Sequence, residues 1–179
     1  MLRVLKSVLL VICLSSNAFA NCNVQHELMY AIAEVERHTK KNVGYPYLIS
    51  FNNFQDFKEI PQLLNGFAYN KLDNRTIDCL EENNCIEIAR QLIDTHGITN
   101  LDMGAYQICY YWNKLPYQNY FDLIKNYNDA CYIIEKNVKQ FGHSWESIAK
   151  YHSFNKERNK KYAQQLQNSI IKNYPELTN

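Results

Sequence analysis

Apolar residues recur every three or four positions over five stretches of this chain and alternate over one. From Val24 to Arg37 the residues Leu28, Met29, Ile32, Ala33 and Val35 keep helical spacing, which predicts a helix with one buried face. Gly44 to Asn53 departs from that rhythm. There Tyr45, Tyr47, Ile49 and Phe51 alternate, and Pro46 lies near the start, as in a short strand or extended segment. Phe54 to Leu80 is polar and aromatic without a clear period, with a short helix expected around Pro61 to Leu64.

Cys85, Ile88, Ala89, Leu92 and Ile93 predict a second helix, opened by Asn83 or Asn84 and closed at Gly97. Ala130, Ile133, Ile134, Val138 and Phe141 predict a third, which ends at Gly142. Ser144 is the expected N-cap of a helix carrying Trp145, Ile148, Ala149 and His152. The stretch from Lys156 to Tyr174 predicts a charged helix with Tyr162, Ala163, Leu166 and Ile170 on one face. No internal repeat or linker interrupts the series. The pattern predicts a mainly α single domain with one small extended or β segment.

The first twenty residues follow a different logic. Arg3 and Lys6 make a basic start, Ser7 to Leu14 a short apolar core, and Ala18-Phe19-Ala20 a small-x-small cleavage site. The apolar run is too short to span a bilayer. Residues 1–20 are therefore expected to be a signal peptide cleaved after Ala20. The expected product is exported to the periplasm without a stable membrane span. Asn21 fits poorly with lipoprotein processing at Cys22. Removing Arg3 and Lys6 from the 19 basic residues leaves 17 against 18 acidic ones, a net charge of about −1. That balance argues against nucleic acid as a partner, since phosphate binding needs clustered positive charge. Tyrosine is abundant, at 14 residues, and a tyrosine ring can stack on a sugar while its hydroxyl hydrogen-bonds.

Five cysteines remain after Ala20: Cys22, Cys79, Cys85, Cys109 and Cys131. Export permits disulfides, and an odd count leaves a thiol over. Cys79 and Cys85 could close a small loop, and Cys22 and Cys131 could tie the N-terminus to a later helix. Cys109, within Ile108-Cys109-Tyr110-Tyr111-Trp112, is expected to be a buried free thiol. No C-x-x-C spacing supports a redox or zinc site, no H-E-x-x-H a metal hydrolase, and no G-x-S-x-G a serine hydrolase.

Glu36 carries the sharpest chemical signal. With Leu28 and Ile32 it falls at i, i+4 and i+8, so its carboxyl group continues the apolar stripe of the first helix. Apolar surroundings disfavour the ionised form, and a carboxylic acid still protonated near neutral pH can protonate a leaving glycosidic oxygen. Asp102-Met103-Gly104-Ala105-Tyr106-Gln107 is a glycine turn that lets backbone approach a ligand, with Gln107 offering a donor and an acceptor. Tyr151 lies on the helix of Ile148 and points inward. Taken singly, each has an ordinary reading: a helix-end glutamate reaching water, a turn, a core tyrosine.

Their order is more specific. Cys22, Ala31-Ile32-Ala33, Glu36, Pro46, Tyr47, Ile49 and Asn52 come first. Asn100, Asp102, Gly104, Gln107, Ile108 and Trp112 follow, and then Cys131, Gly142, Trp145, Ile148 and Tyr151. Across nearly the whole mature chain this series resembles the lytic transglycosylases of the soluble-lytic-transglycosylase type. It is closest to the small branch that accompanies secretion, pilus and conjugation machines. Arg37, Tyr106, Cys109 and His152 depart from the usual residues, and residues 53–99 form a long insertion.

The resemblance implies a lysozyme-like fold, no cofactor, and peptidoglycan glycan strands as substrate. Components of a secretion, pilus or conjugation apparatus are implied as partners. Glu36 would be the single acid and base cleaving the bond between N-acetylmuramic acid and N-acetylglucosamine, with closure of a 1,6-anhydro ring. Tyr151 would hold Glu36 by a hydrogen bond. Asn52, Gly104, Tyr106, Gln107 and His152 would bind the sugar. Arg37 is expected to face away from Glu36, because helix neighbours point about 100° apart. One rival is a hydrolase of the same bond, which needs a second carboxylate. Asp102 is available but reads as a brace of its turn. The other rival is a non-catalytic module that binds glycan or scaffolds a secretion complex.

Overall fold

A computed structural model describes residues 22–178, so the expected leader and its cleavage after Ala20 lie outside the described residues. Helix α1 (His26–Glu36) buries Leu28, Met29, Ala31, Ile32 and Ala33, the stripe foreseen from spacing. Strand β1 (Leu48–Phe51) follows and is buried along its whole length. Such a strand needs partners on both edges, and they come from sequence that carries little periodicity. Helix α2 (Phe54–Leu63), β2 (Asn70–Lys71), β3 (Thr76–Asp78) and α3 (Glu82–Arg90) all fall within residues 53–99. Strands β4 (Leu101–Met103) and β5 (Ile108–Cys109) complete an antiparallel sheet of order β2-β3-β1-β4-β5.

The single extended segment expected from alternation is thus the middle of a five-stranded sheet, and its neighbours are too short to alternate visibly. Ser50 pairs with Thr76 on one side and Asp102 on the other. The region 53–99 therefore builds the sheet rather than decorating it.

The second half of the chain is helical: α4 (Tyr117–Phe121), α5 (Leu123–Phe141), α6 (Trp145–Ala149) and α7 (Lys156–Asn173). Side-chain caps set several boundaries. Asp122 accepts from the amides of Ile124 and Lys125, Ser144 from Ser147, and Asn155 from Glu157 and Arg158. Asp122 starts α5 well before the apolar period becomes visible, and Gly142 at φ +85 ends it. Asn53 caps α2, which is longer than the short helix expected near Pro61. Helix α3 begins at Glu82 instead of at Asn83 or Asn84. Asn84 lies inside the first turn, and its Nδ2 donates to the carbonyls of Ala68 and Cys79 (both 2.6 Å), which ties the helix start to the chain before it. The helix continues as a π-turn, Gln91–Thr95, before Gly97 at φ +67.

Buried polar groups fasten the elements together. Glu34 on α1 accepts from Ser169, Lys172 (2.9 Å) and Asn173 (2.7 Å), which tie α1 to α7. These bonds hold its carboxyl group below the usual carboxylate range against the opposing effect of burial. Asp78, almost fully buried at the end of β3, is compensated by an ion pair with Lys41 and a hydrogen bond from Tyr45 (2.8 Å). Disulfides join Cys22 to Cys131 and Cys79 to Cys85, and Cys109 is free. Among the described residues no helix is long and apolar enough to cross a membrane.

Candidate active site

The last residue of α1 opens onto a cleft of about 1120 Å³. Glu36 lines it with its side chain only 13 % exposed, because the i, i+4, i+8 row that buries Leu28 and Ile32 carries the carboxyl group to the cleft floor. Arg37 turns away, its Nη1 donating to the carbonyl of Lys41 at 3.1 Å. Among the described residues it forms no ion pair with Glu36.

The turn after α6 brings two residues to the acid. Helix α6 stops at Ala149, so Tyr151 and His152 sit on the turn leaving it and not on the helix expected there. His152 Nδ1 lies 3.7 Å from Glu36 Oε1, an ion-pair distance. The imidazole stacks on Tyr162 of α7, with centroids 4.6 Å apart and planes 9° from parallel. The Glu36 carboxylate raises the pKa of His152 above its ordinary value, and burial works against it. The buried Tyr162 hydroxyl makes no well-formed hydrogen bond. Burial first, and then the nearby Glu36 charge, push its pKa up. Tyr162 reads in the sequence as one more core residue on the apolar face of α7, and nothing local marks it as a neighbour of the acid.

Tyr151 lines the cleft, but its hydroxyl donates to the carbonyl oxygen of Tyr106 at 2.6 Å and not to Glu36. The hydrogen bond expected between Tyr151 and Glu36 is replaced by one that anchors the β4–β5 turn. The same turn is gripped from α5, where Asn126 Oδ1 accepts from the Tyr106 amide at 2.9 Å. Tyr106 itself is buried and packs edge-on against Tyr127, so its side chain supports the turn instead of meeting a sugar. Gly104, at φ +84, is also structural. A Cβ there would lie 2.0 Å from the Tyr120 carbonyl oxygen, so helix packing requires the glycine, and not ligand approach. Of the turn residues expected to bind sugar, Gln107 alone reaches the cleft, with φ +46 and its amide donating to the Gly104 carbonyl at 2.8 Å.

Asn52 lines the cleft as expected, and beside it lie two groups of greater chemical weight than the sequence suggested. Asp102 on β4 is braced by Arg75 (Nη2 to Oδ2 3.6 Å), which also reaches Asn52 Oδ1 at 3.4 Å. Burial and then repulsion by Glu36 raise the pKa of Asp102, while Asn52, Cys109 and Arg75 oppose the rise. The cleft thus holds two carboxyl groups that sense one another. Arg75 comes from the stretch without a period just before β3, where no pattern flagged it. Cys109 is half-buried at the cleft wall and not enclosed in the core. Burial, together with the Asp102 charge, pushes its thiol up to about 11, which leaves it protonated and unreactive.

The rim is aromatic and basic. Trp112 (78 % exposed), Tyr132 and Phe154 offer ring faces, and Lys136, Arg158 and Lys161 offer charge. Among the described residues no group of three or more His, Cys, Asp or Glu side chains is arranged to hold a metal ion. Compared with known proteins, the chain matches no family model, no curated protein and no solved structure.

Proposed function

We propose that the chain is an exported, periplasmic peptidoglycan lytic transglycosylase with Glu36 as its acid and base. The observation that carries this reading is the setting of Glu36: a largely buried carboxyl group lining a cleft of about 1120 Å³ that the exposed aromatic side chains Trp112, Tyr132 and Phe154 also line. A cleft of this size accommodates several sugars, and ring faces suit their apolar surfaces.

In the proposed reaction the Glu36 carboxyl group donates its proton to the oxygen between N-acetylmuramic acid and N-acetylglucosamine as the C1–O bond breaks. The muramic C6 hydroxyl then bonds to C1 and returns its proton to the Glu36 carboxylate. No water is consumed, and the acid is regenerated. Gln107 and Asn52 face the same cleft and supply amide donors and acceptors to the sugar. Tyr151 acts through the backbone, by holding the turn that carries Gln107. His152 lies 3.7 Å from the Glu36 carboxyl group, and its imidazolium would stabilise the carboxylate left once the proton has gone to the glycosidic oxygen. The tie to a secretion, pilus or conjugation machine is part of the same proposal and rests on the resemblance alone.

Asp102 supports a second reading. A carboxylate sharing the cleft with the acid is what a hydrolase needs to activate water. Its contact with Arg75 favours a bracing role instead, because the guanidinium already occupies one face of the carboxylate.

Digestion of cell-wall sacculi followed by mass spectrometry tests both readings. The proposed reaction yields anhydromuramic ends, lighter by one water than reducing ends. Glu36→Gln is expected to abolish release. Products with reducing muramic ends alone would establish the hydrolase, and wild-type inactivity would favour the non-catalytic module.

A further inference from the structure

Arg75 reaches the cleft from the region 53–99, and its backbone is fixed on both sides. Asp73 Oδ1 accepts from the amides of Arg75 (2.8 Å) and Thr76 (2.7 Å), and the Arg75 carbonyl oxygen accepts from the amide of Phe51 (2.8 Å). His38, 3.3 Å from Asp73, ties that turn to the loop after α1. From this anchor the guanidinium extends past the end of β1 to β4. Its Nη2 lies 3.4 Å from Asn52 Oδ1 and 3.6 Å from Asp102 Oδ2. Among the described residues Asp102 has no other ion-pair partner. Asp102 shares the cleft with Glu36, so the pairing bears on any chemistry done there.

Once Glu36 has protonated the leaving oxygen, two nucleophiles compete for C1: the muramic C6 hydroxyl and a water. Water needs a carboxylate base with free lone pairs. We propose that Arg75 is a positioning residue that withholds the Asp102 carboxylate from water, so that the C6 hydroxyl closes on C1 instead. The inference rests on the proposed transglycosylase function and adds the residue that sets its product. The guanidinium engages one carboxylate oxygen and favours the ionised form, which makes Asp102 a weaker proton acceptor. With Arg75 in place, Glu36 gives one proton and takes one back, and Asp102 exchanges none. Without it, the water oxygen bonds to C1 and its proton passes to Asp102. Asp102 then releases that proton to solvent, from which Glu36 is reprotonated. One water is consumed, and the product is a reducing muramic end. The other titratable groups whose charge reaches Asp102 are Glu36 on α1, Cys109 on β5, and Tyr151 and His152 after α6. Burial keeps Cys109 and Tyr151 neutral, Glu36 opposes ionisation of Asp102, and His152 favours it only when protonated. The guanidinium alone keeps its charge at every working pH.

The readout is the ratio of reducing to anhydromuramic ends released from sacculi, followed by mass spectrometry from mildly acidic to alkaline pH. Wild type is compared with Arg75→Gln, Arg75→Lys and the double variant Arg75→Gln/Asp102→Asn. Arg75→Gln is expected to raise the ratio by roughly tenfold, the scale of one lost charge-assisted hydrogen bond. The gain should grow with pH as the released Asp102 ionises. Arg75→Lys keeps the charge and should stay near wild type, and the double variant should return to the wild-type ratio. A merely structural role for Arg75 would lower the rate and leave the ratio unmoved. An unchanged ratio in Arg75→Gln, or a raised one that survives Asp102→Asn, overturns the proposal.

The wild-type products separate this inference from the function on which it rests. Anhydromuramic ends from both wild type and Arg75→Gln, in the same ratio, uphold the transglycosylase and refute the role of Arg75. Reducing ends alone from wild type overturn both. If wild type releases no ends, the transglycosylase reading fails. In that case, or if Arg75→Gln alone is inactive, carbon-13 NMR titration of the Asp102 carboxyl group, assigned with Asp102→Asn, decides the inference. A higher titration point in Arg75→Gln than in wild type and Arg75→Lys upholds the hold of Arg75 on Asp102, and equal titration in all three refutes it.

Discussion

His152 changes the balance of charge around Glu36. Its pKa is raised in the folded protein by the Glu36 carboxylate, so the native state binds the imidazole proton more tightly than the unfolded chain does. The resulting stability is fully present below the ordinary histidine value of about 6.5 and is lost as pH rises through the higher folded value. Because the side chain is 47 % exposed, solvent screening keeps the effect under about 1 kcal/mol. Urea unfolding followed from mildly acidic to alkaline pH should show wild type losing stability relative to His152→Asn across that window. Parallel curves would remove the ion pair from the account. Gly104→Ala is expected to be more damaging. It combines a positive φ of +84 with a Cβ 2.0 Å from a backbone oxygen, and should destabilise by about 3 kcal/mol in thermal or urea unfolding.

The β4–β5 turn is the element on which the cleft depends, and other elements hold it. Asn126 of α5 takes the amide of Tyr106, and Tyr151 donates to its carbonyl oxygen. Tyr151→Phe should therefore behave as a structural lesion with a functional readout. It leaves a buried acceptor without its donor, which destabilises by about 1–3 kcal/mol. It should also loosen the turn carrying Gln107, raising KM for glycan more than it lowers kcat. If Tyr151→Phe leaves stability unchanged and lowers kcat alone, the hydroxyl acts on the reaction and not on the turn. The sheet shows the same dependence of one element on another, since β1 is flanked by β3 and β4 and its Phe51 packs edge-on against Phe57 of α2.

The two disulfides act on very different lengths of chain. Cys22–Cys131 spans 109 residues of sequence and Cys79–Cys85 only 6. In the chain-entropy account a crosslink over roughly a hundred residues contributes about 4–5 kcal/mol, and one over a handful contributes about 2. Replacing Cys22 and Cys131 by serine should thus lower urea stability by about twice as much as replacing Cys79 and Cys85. A reversed order would mean that the short loop of β3 and α3 carries more of the fold than its size suggests. The long crosslink also fastens the start of α1 to α5, two of the helices whose residues line the cleft.

Periodicity and capping are local, so the chain alone specified α1, the core of α5, the cap at Ser144, the charged face of α7 and the extended segment around Ile49. It also placed Glu36 at the end of a buried stripe, because an i, i+4, i+8 row is a property of one helix. It did not reveal strands of two or three residues, which are too short to show a period: β3 and β4 are held by hydrogen bonds to β1, and β2 and β5 in turn by β3 and β4. Nor did it reveal Arg75 or Tyr162 at the site. The roles of Tyr151 and Gly104 went likewise to packing partners far away in sequence. The meeting of Glu36, Asp102 and His152 in one cleft joins α1, the sheet and the turn after α6, and that encounter is made by long-range packing that no local pattern encodes.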